Sequence, residues 1–106
     1  MSDRLILPQR RFSLTFTVPF WNRPWDVTVG FYDPPERRAG EIFINAAKSP
    51  GTQQEALCRD GAILFSLALQ YGAPVPVISS ALTRNLNGSP SSLIGAIADR
   101  PELRSV

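Results

Sequence analysis

The sequence predicts an α+β domain: an antiparallel three- to four-stranded meander packed by one long helix and followed by two short helices. Three observations carry that expectation. Apolar and polar residues alternate with period two in three runs between Arg11 and Ala46, joined by short turns. The period turns helical after Thr52 and holds to Tyr71. Two further short apolar segments, each opened by a proline, complete the chain. At 106 residues there is room for one domain. Residues 1–10 read as a loose leader or edge strand, 11–100 as the domain, and 101–106 as a polar tail.

The first strand turns Phe12, Leu14, Phe16 and Val18 to one face and Arg11, Ser13, Thr15 and Thr17 to the other. The second alternates Trp25, Val27, Val29 and Phe31 against Asp26, Thr28, Gly30 and Tyr32. Pro19 and Pro24 bracket their connection and are expected to stop the ladder. Asp33-Pro34-Pro35-Glu36 makes a turn, and Gly40 leads into a third strand from Glu41 to Ala46. Ile42, Ile44 and Ala46 share its inner face. Short connections imply a meander with one buried face.

Thr52-Gln53-Gln54-Glu55 is a capping box, and the helix it opens stops at Gly72 with Pro74 close behind. Its polar stripe is narrow, because Glu55, Arg59, Ser66 and Gln70 fall within about one-sixth of the circumference. Leu57, Ile63, Leu64, Phe65, Leu67, Leu69 and Tyr71 cover the rest, so burial on more than one side is expected. A helix from Val77 to Arg84, with Ile78, Ala81 and Leu82 inward, is the expected second neighbour. Ser89 and Pro90 read as N-cap and first residue of a last helix carrying Leu93, Ile94 and Ile97.

Composition excludes more than it assigns. The chain has no histidine and one cysteine, Cys58. A Ser-His-Asp or Cys-His site, a histidine-containing zinc site and an intramolecular disulfide are therefore excluded. Eleven basic residues against nine acidic give a net charge of +2, too small to argue for nucleic acid or a membrane surface. Leu5, Ile6 and Leu7 are too short a run for a secretory segment. A lone thiol fits a reducing, cytoplasmic setting. Neither a cofactor nor a metal is expected.

Gly40-Glu41-Ile42-Phe43-Ile44-Asn45, then Lys48-Ser49, Glu55-Ala56-Leu57 and Ile63-Leu64-Phe65-Ser66-Leu67-Ala68-Leu69-Gln70-Tyr71-Gly72-Ala73-Pro74 together resemble a known family. It is the TSCPD domain, found near the C-terminus of vitamin B12-dependent (class II) ribonucleotide reductases and as small stand-alone proteins. The family's "G-E-x-F-I" strand, "K-S/A-G" turn and "I-S-L-A-L-x-x-G-V-P" helix end occur here in the same order. The stretch Asn87-Gly88-Ser89-Pro90-Ser91-Ser92-Leu93-Ile94-Gly95 resembles the tail of the stand-alone members. The resemblance is firm from Gly40 to Leu82. The Thr-Ser-Cys-Pro-Asp motif that names the family has no counterpart, and neither do the cysteines of the reductase tail. The resemblance thus implies the fold and an association with ribonucleotide reduction in bacterial or phage contexts, but neither the reductase activity nor its B12 site.

Individual side chains give binding candidates rather than catalytic ones. Phe20-Trp21-Asn22-Arg23-Pro24-Trp25 interleaves aromatic and basic residues on a turn, as stacking or partner anchoring requires. Trp25 belongs to the inward set, which leaves Trp21 and Arg23. Arg37 and Arg38 share the next loop, and Tyr32 and Phe43 join Thr15 and Thr28 on the outward sheet face. Gly88, Ser89 and Ser91 open the last helix and could meet an anion. Cys58 reads as a buried, inert thiol, and Lys48-Ser49 as a turn rather than a nucleophile pair. No pair of carboxylates is placed for general acid–base work. The expectation is a non-enzymatic protein that binds a macromolecular partner, with self-association into a homodimer suggested by the over-apolar helix. The alternatives are nucleic-acid binding and an accessory role in ribonucleotide reduction.

Overall fold

A computed structural model describes residues 3–45 and 52–104. It contains one sheet of three antiparallel strands in the order β1-β2-β3, with β1 at Ser13–Phe20, β2 at Arg23–Phe31 and β3 at Ala39–Ile44. Helix α1 (Gln53–Gln70) follows, then α2 (Val75–Ala81), α3 (Leu93–Ala98) and a 3-10 turn at Pro101–Leu103. The expected α+β meander is present, with three strands rather than four among the described residues. Ala46, Lys48 and Ser49 lie outside the described residues.

The inner face of the sheet is the one the alternation gives. Trp25, Val27, Val29 and Phe31 of β2 meet Val18 of β1 and Ile42 and Ile44 of β3, all buried. Phe65 and Leu69 of α1, and Leu93 and Ile97 of α3, close the core over them. Burying each such side chain contributes about 1.5–3 kcal/mol.

The prolines do not stop the ladder. Pro19 pairs with Pro24, and the strands continue to Phe20 and Arg23. A two-residue turn makes Phe20–Arg23 the hydrogen-bonded closing pair. The prolines therefore occupy the next, non-bonded pair, where neither must donate across.

A register shift between Gly30 and Phe31 breaks the alternation. Tyr32, expected on the outward face, is 5% exposed instead. A bulge turns consecutive residues to one side, and the segment before β1 covers the ring. Tyr32 donates its hydroxyl to the Leu5 carbonyl, while Leu5 N–H donates to the Gln70 carbonyl at 2.8 Å. Gly40 lies beneath this contact: a Cβ there would come within 2.6 Å of the Tyr32 ring and 2.7 Å of Leu7.

The short helices start elsewhere than expected. α2 begins at Val75 rather than Val77 and ends at Ala81, so Val75 and Ser79 are its buried residues and Ala81 is exposed. It packs on α3. α3 is capped by Ser92, whose hydroxyl accepts from Gly95 N–H at 3.1 Å, not by Ser89. Pro90 instead bridges to Arg84. Past Pro101, where a polar tail was expected, Leu103 is buried in the core.

A carboxylate ties this end together. Asp99 takes both guanidinium nitrogens of Arg84 at 2.7 and 2.8 Å and the Ser79 hydroxyl at 2.6 Å. Those bonds, Arg84's first and Ser79's second, hold its pKa down at about 2. An unfolded aspartate titrates near 3.9. The stabilisation is therefore complete above about pH 4 and is lost as pH falls through about 2. With the pair partly solvated, about 1 kcal/mol is expected to disappear over that window. Urea midpoints at pH 5 and pH 2.5 measure it, and Asp99→Asn is expected to flatten the change.

Candidate docking surface

Helix α1 decides what this surface is. Thr52 caps it, accepting from Glu55 N–H at 3.1 Å, but the Glu55 carboxylate turns to Arg59 instead of returning the second bond of the expected box. Of the helix's polar stripe, Glu55, Ser66 and Gln70 turn toward the protein, while Arg59 stays exposed. The Ser66 hydroxyl accepts from Ile42 N–H at 2.8 Å and lies 2.8 Å from the Ala62 carbonyl and 3.2 Å from that of Ile42. Gln70 donates to the Gly40 carbonyl at 2.9 Å and accepts from Arg4 at 2.6 Å. Gly40 and Ile42 are on the outer edge of β3, where backbone groups have no further strand to bond. Ser66 and Gln70 supply that missing partner.

Turning these three inward turns an apolar stripe outward. Leu57 and Leu64 are 66% and 67% exposed, and Ile63 and Tyr71 are exposed beside them. Leu57, Leu64 and Tyr71 recur at seven-residue intervals, within about one-ninth of the helical circumference. Val77 of α2 is exposed as well. α1 does meet a second element, but it is α3 rather than the expected α2, and the Leu57–Leu64–Tyr71 stripe stays exposed among the described residues.

Beside the first turns of α1 lies an open cavity of about 490 Å³. Trp21, Leu57, Cys58, Leu93 and Ile94 form its apolar walls, with Gln53, Gln54 and Ser92 as its polar ones. Trp21 reaches it from the β1–β2 turn, where it and Asn22 both adopt positive φ, at 51° and 60°. Two-residue hairpins require that geometry, but a bulky residue there is strained. The Trp21 ring meets Trp25 edge-on at 5.9 Å.

Arg23 stacks on the Trp25 ring at 3.6 Å, and its Nε and Nη2 are buried without an acceptor. Glu55, 3% exposed, has Oε1 3.3 Å from Arg59 and Oε2 without a donor. Both lie near Cys58. Burial pushes the Cys58 thiol up, with Arg23 pulling it down and Glu55 raising it further. Such a thiol is protonated and a poor nucleophile at neutral pH.

The remaining sequence candidates separate. Arg38 stacks on Tyr32 at 4.6 Å and donates to the Leu69 carbonyl near the C-terminus of α1, where a cation is favoured. Both are thus built into the fold. Arg37 is exposed on its loop at φ 50°. Phe43 is exposed on the outward sheet face. Around it the polar side chains bond one another: Thr15 with Thr28 at 2.9 Å, Thr17 with Asp26 at 3.0 Å, and Arg11 with Glu41 at 2.6 Å. In the loop before α3, Ser89 donates to Asn87 Oδ1 and Ser91 to Asn85 Oδ1, while the Gly88 carbonyl accepts from Arg84. The hydroxyls intended for an anion are occupied by their own loop. Among the described residues, no group of three or more His, Cys, Asp or Glu is placed to hold a metal ion, and no helix is long and apolar enough to cross a membrane.

The TSCPD domain family profile matches residues 4–100. The chain belongs to the TSCPD domain family. The match reaches past the Gly40–Leu82 stretch to take in the N-terminal strap, β1, β2 and α3 of this TSCPD domain. No curated protein and no solved structure matches it.

Proposed function

We propose that this TSCPD domain is a non-enzymatic module that docks a macromolecular partner through the outer face of α1 and the adjoining Trp21 turn. One observation carries the reading: α1 spends Ser66 and Gln70 on the edge of β3 and presents Leu57, Ile63, Leu64 and Tyr71 to solvent. Exposed Gln53 and Asp60 share this face, and apolar side chains grouped on an otherwise polar-rimmed face are the usual mark of an interaction surface. The carboxylates support the non-enzymatic part, since Glu41, Asp99 and Glu102 are paired with Arg11, Arg84 and Arg100. A reducing, cytoplasmic compartment belongs to the same reading, because it keeps Cys58 a thiol.

The test is co-purification of the tagged chain from its native host, with Leu64→Glu alongside. The Leu64 side chain is mostly in water, so the variant is expected to melt within about 0.5 kcal/mol of wild type. It is expected to lose the co-purifying partner. A partner kept equally by both proteins would remove α1 from the reading.

A second reading, an accessory role in ribonucleotide reduction, is favoured by the family match. Binding of a purified reductase subunit, measured by titration, tests it directly. Nucleic-acid binding has less support, because Arg11, Arg38, Arg84 and Arg100 are engaged with carboxylates. A salt titration with DNA and RNA would expose it if present.

A further inference from the structure

The sheet has two edges, and the chain guards only one of them. Ser66 and Gln70 of α1 bond the outer edge of β3. The outer edge of β1 has no such cover. Phe20–Arg23 closes the hairpin as a bonded pair, and at the far end Phe31 N–H donates to the Phe12 carbonyl at 2.9 Å. Bonded pairs alternate along an antiparallel ladder, so Leu14, Phe16 and Val18 are the residues that bond β2. The N–H and C=O groups of Ser13, Thr15 and Thr17 point away from the sheet, with no partner among the described residues.

Edge strands are kept single by charges, bulges, prolines or a covering element. From Phe12 to Phe20 no side chain is charged, and the register with β2 runs unbroken from Ser13 to Phe20. Pro19 stands beyond the three open residues. The apolar side of β1 is also left unfinished. Phe12 is 51% exposed and Leu14 and Phe16 are half-buried, whereas Val27 and Val29 on the neighbouring strand are fully covered. One more strand alongside β1 would cover all three.

Three features select a second copy of the chain over a foreign strand. The open residues are symmetric about Thr15. A copy run antiparallel through a twofold axis there sets Thr15 against Thr15 and Ser13 against Thr17, and all six open groups of each copy are met. Hydroxyls then face hydroxyls on the outer side and Leu14 faces Phe16 on the inner, both favourable cross-strand matches. The two Arg11 side chains fall at opposite ends, about 27 Å apart. Arg100, over the Phe16 ring, brings its own carboxylate, Glu102, at 2.9 Å. Next, a foreign peptide on a sheet edge is told apart by pockets for its alternate side chains. No residue of β1 lines the cavity under Trp21 or the groove between β3 and α1. Finally, with the β3 edge taken by α1, each copy offers a single open edge, and assembly closes at two.

We infer that two copies pair β1 with β1 about Thr15, joining their sheets into one of six antiparallel strands. This interface is separate from the α1 face of the docking reading and does not depend on it.

Sedimentation equilibrium of the full chain over a range of concentrations, with hydrogen exchange at each, tests it. The wild type is expected to dimerise. The Ser13, Thr15 and Thr17 amides are expected to gain protection as it does, while those of Leu14 and Phe16 are protected throughout. Thr15→Lys and Thr15→Glu are each expected to weaken the dimer at least about fivefold, because like charges then meet across the axis. Thr15 is exposed, so neither change is expected to disturb the fold of one copy. Mixed, the two variants are expected to form a heterodimer tighter than either homodimer, which requires residue 15 to face itself. A monomeric wild type would overturn the inference and leave the edge to a strand of another protein. A dimer whose Thr15 amide exchanges as fast as in the monomer would overturn it, and so would variants that associate no better mixed than apart. Loss of the dimer in Leu64→Glu but not in Thr15→Lys would move self-association to the α1 stripe and sink it as well. Co-purification on α1 is read in its own experiment, so the two readings fail separately.

Discussion

Replacing Trp25 with alanine is expected to destabilise the domain by about 3–5 kcal/mol, the range for deleting a buried aromatic ring. Domains of this size have about 5–15 kcal/mol in total, so the variant is expected to be partly unfolded at modest urea. Three losses act together. The ring is 2% exposed, and its removal leaves a cavity between Val18 and the helices. Its Nε1–H no longer donates to the Phe20 carbonyl at 3.1 Å, which frees the closing pair of the β1–β2 turn. The Arg23 guanidinium, stacked 3.6 Å from the ring, also loses that stacking partner, and its Nε and Nη2 already lack acceptors. Trp25→Phe restores most of the volume but not the donor and is expected to fall between. Urea unfolding followed by circular dichroism gives the three midpoints. A cost under about 1 kcal/mol for Trp25→Ala would mean that the turn, not the core, is what Trp25 serves.

The strands were legible because each has one face in water and one in the core, so a period of two maps directly onto burial. Trp25, Val27, Val29 and Phe31 follow that rule without exception. Tyr32 departs from it at the bulge, which depends on the pairing of β2 with β3 and leaves no local mark in the alternation. The two prolines misled for a related reason. Whether a proline harms a ladder depends on whether its position faces a hydrogen-bonded pair, and turn length decides that.

The long helix was legible in extent but not in orientation. Its N-cap threonine and terminal glycine are local signals, and both hold. Which side faces the protein is a tertiary matter: the sheet edge needs hydrogen-bond partners more than it needs leucine. Ser66 and Gln70, read from the sequence as part of a polar stripe, are the residues that meet that need. The candidate surface was legible in Trp21 and in the apolar excess of α1, but not in which of the leucines reach solvent, since exposed leucines look like core to any hydrophobic count.

The inverted helix makes a quantitative claim about α1. If its polar side chains hold the sheet edge, removing two of them costs far more than removing an exposed leucine. Ser66→Ala leaves Ile42 N–H without an acceptor, and Gln70→Ala leaves the Gly40 carbonyl without a donor. Each buried group left unmet costs about 1–3 kcal/mol. The double variant is therefore expected to lose about 2–6 kcal/mol, with the larger part from Gln70, which also accepts from Arg4. Hydrogen exchange supplies the specific readout. Protection at Ile42 is expected to collapse first in the Ser66→Ala protein, while Val27 and Val29 in the central strand keep theirs. Apolar truncation elsewhere would lower protection across the domain, because a cavity weakens global stability rather than one edge. Equal losses at Ile42 and Val29 would therefore deny Ser66 its place as the missing strand's substitute. They would also remove the reason for α1 to turn its leucines to solvent.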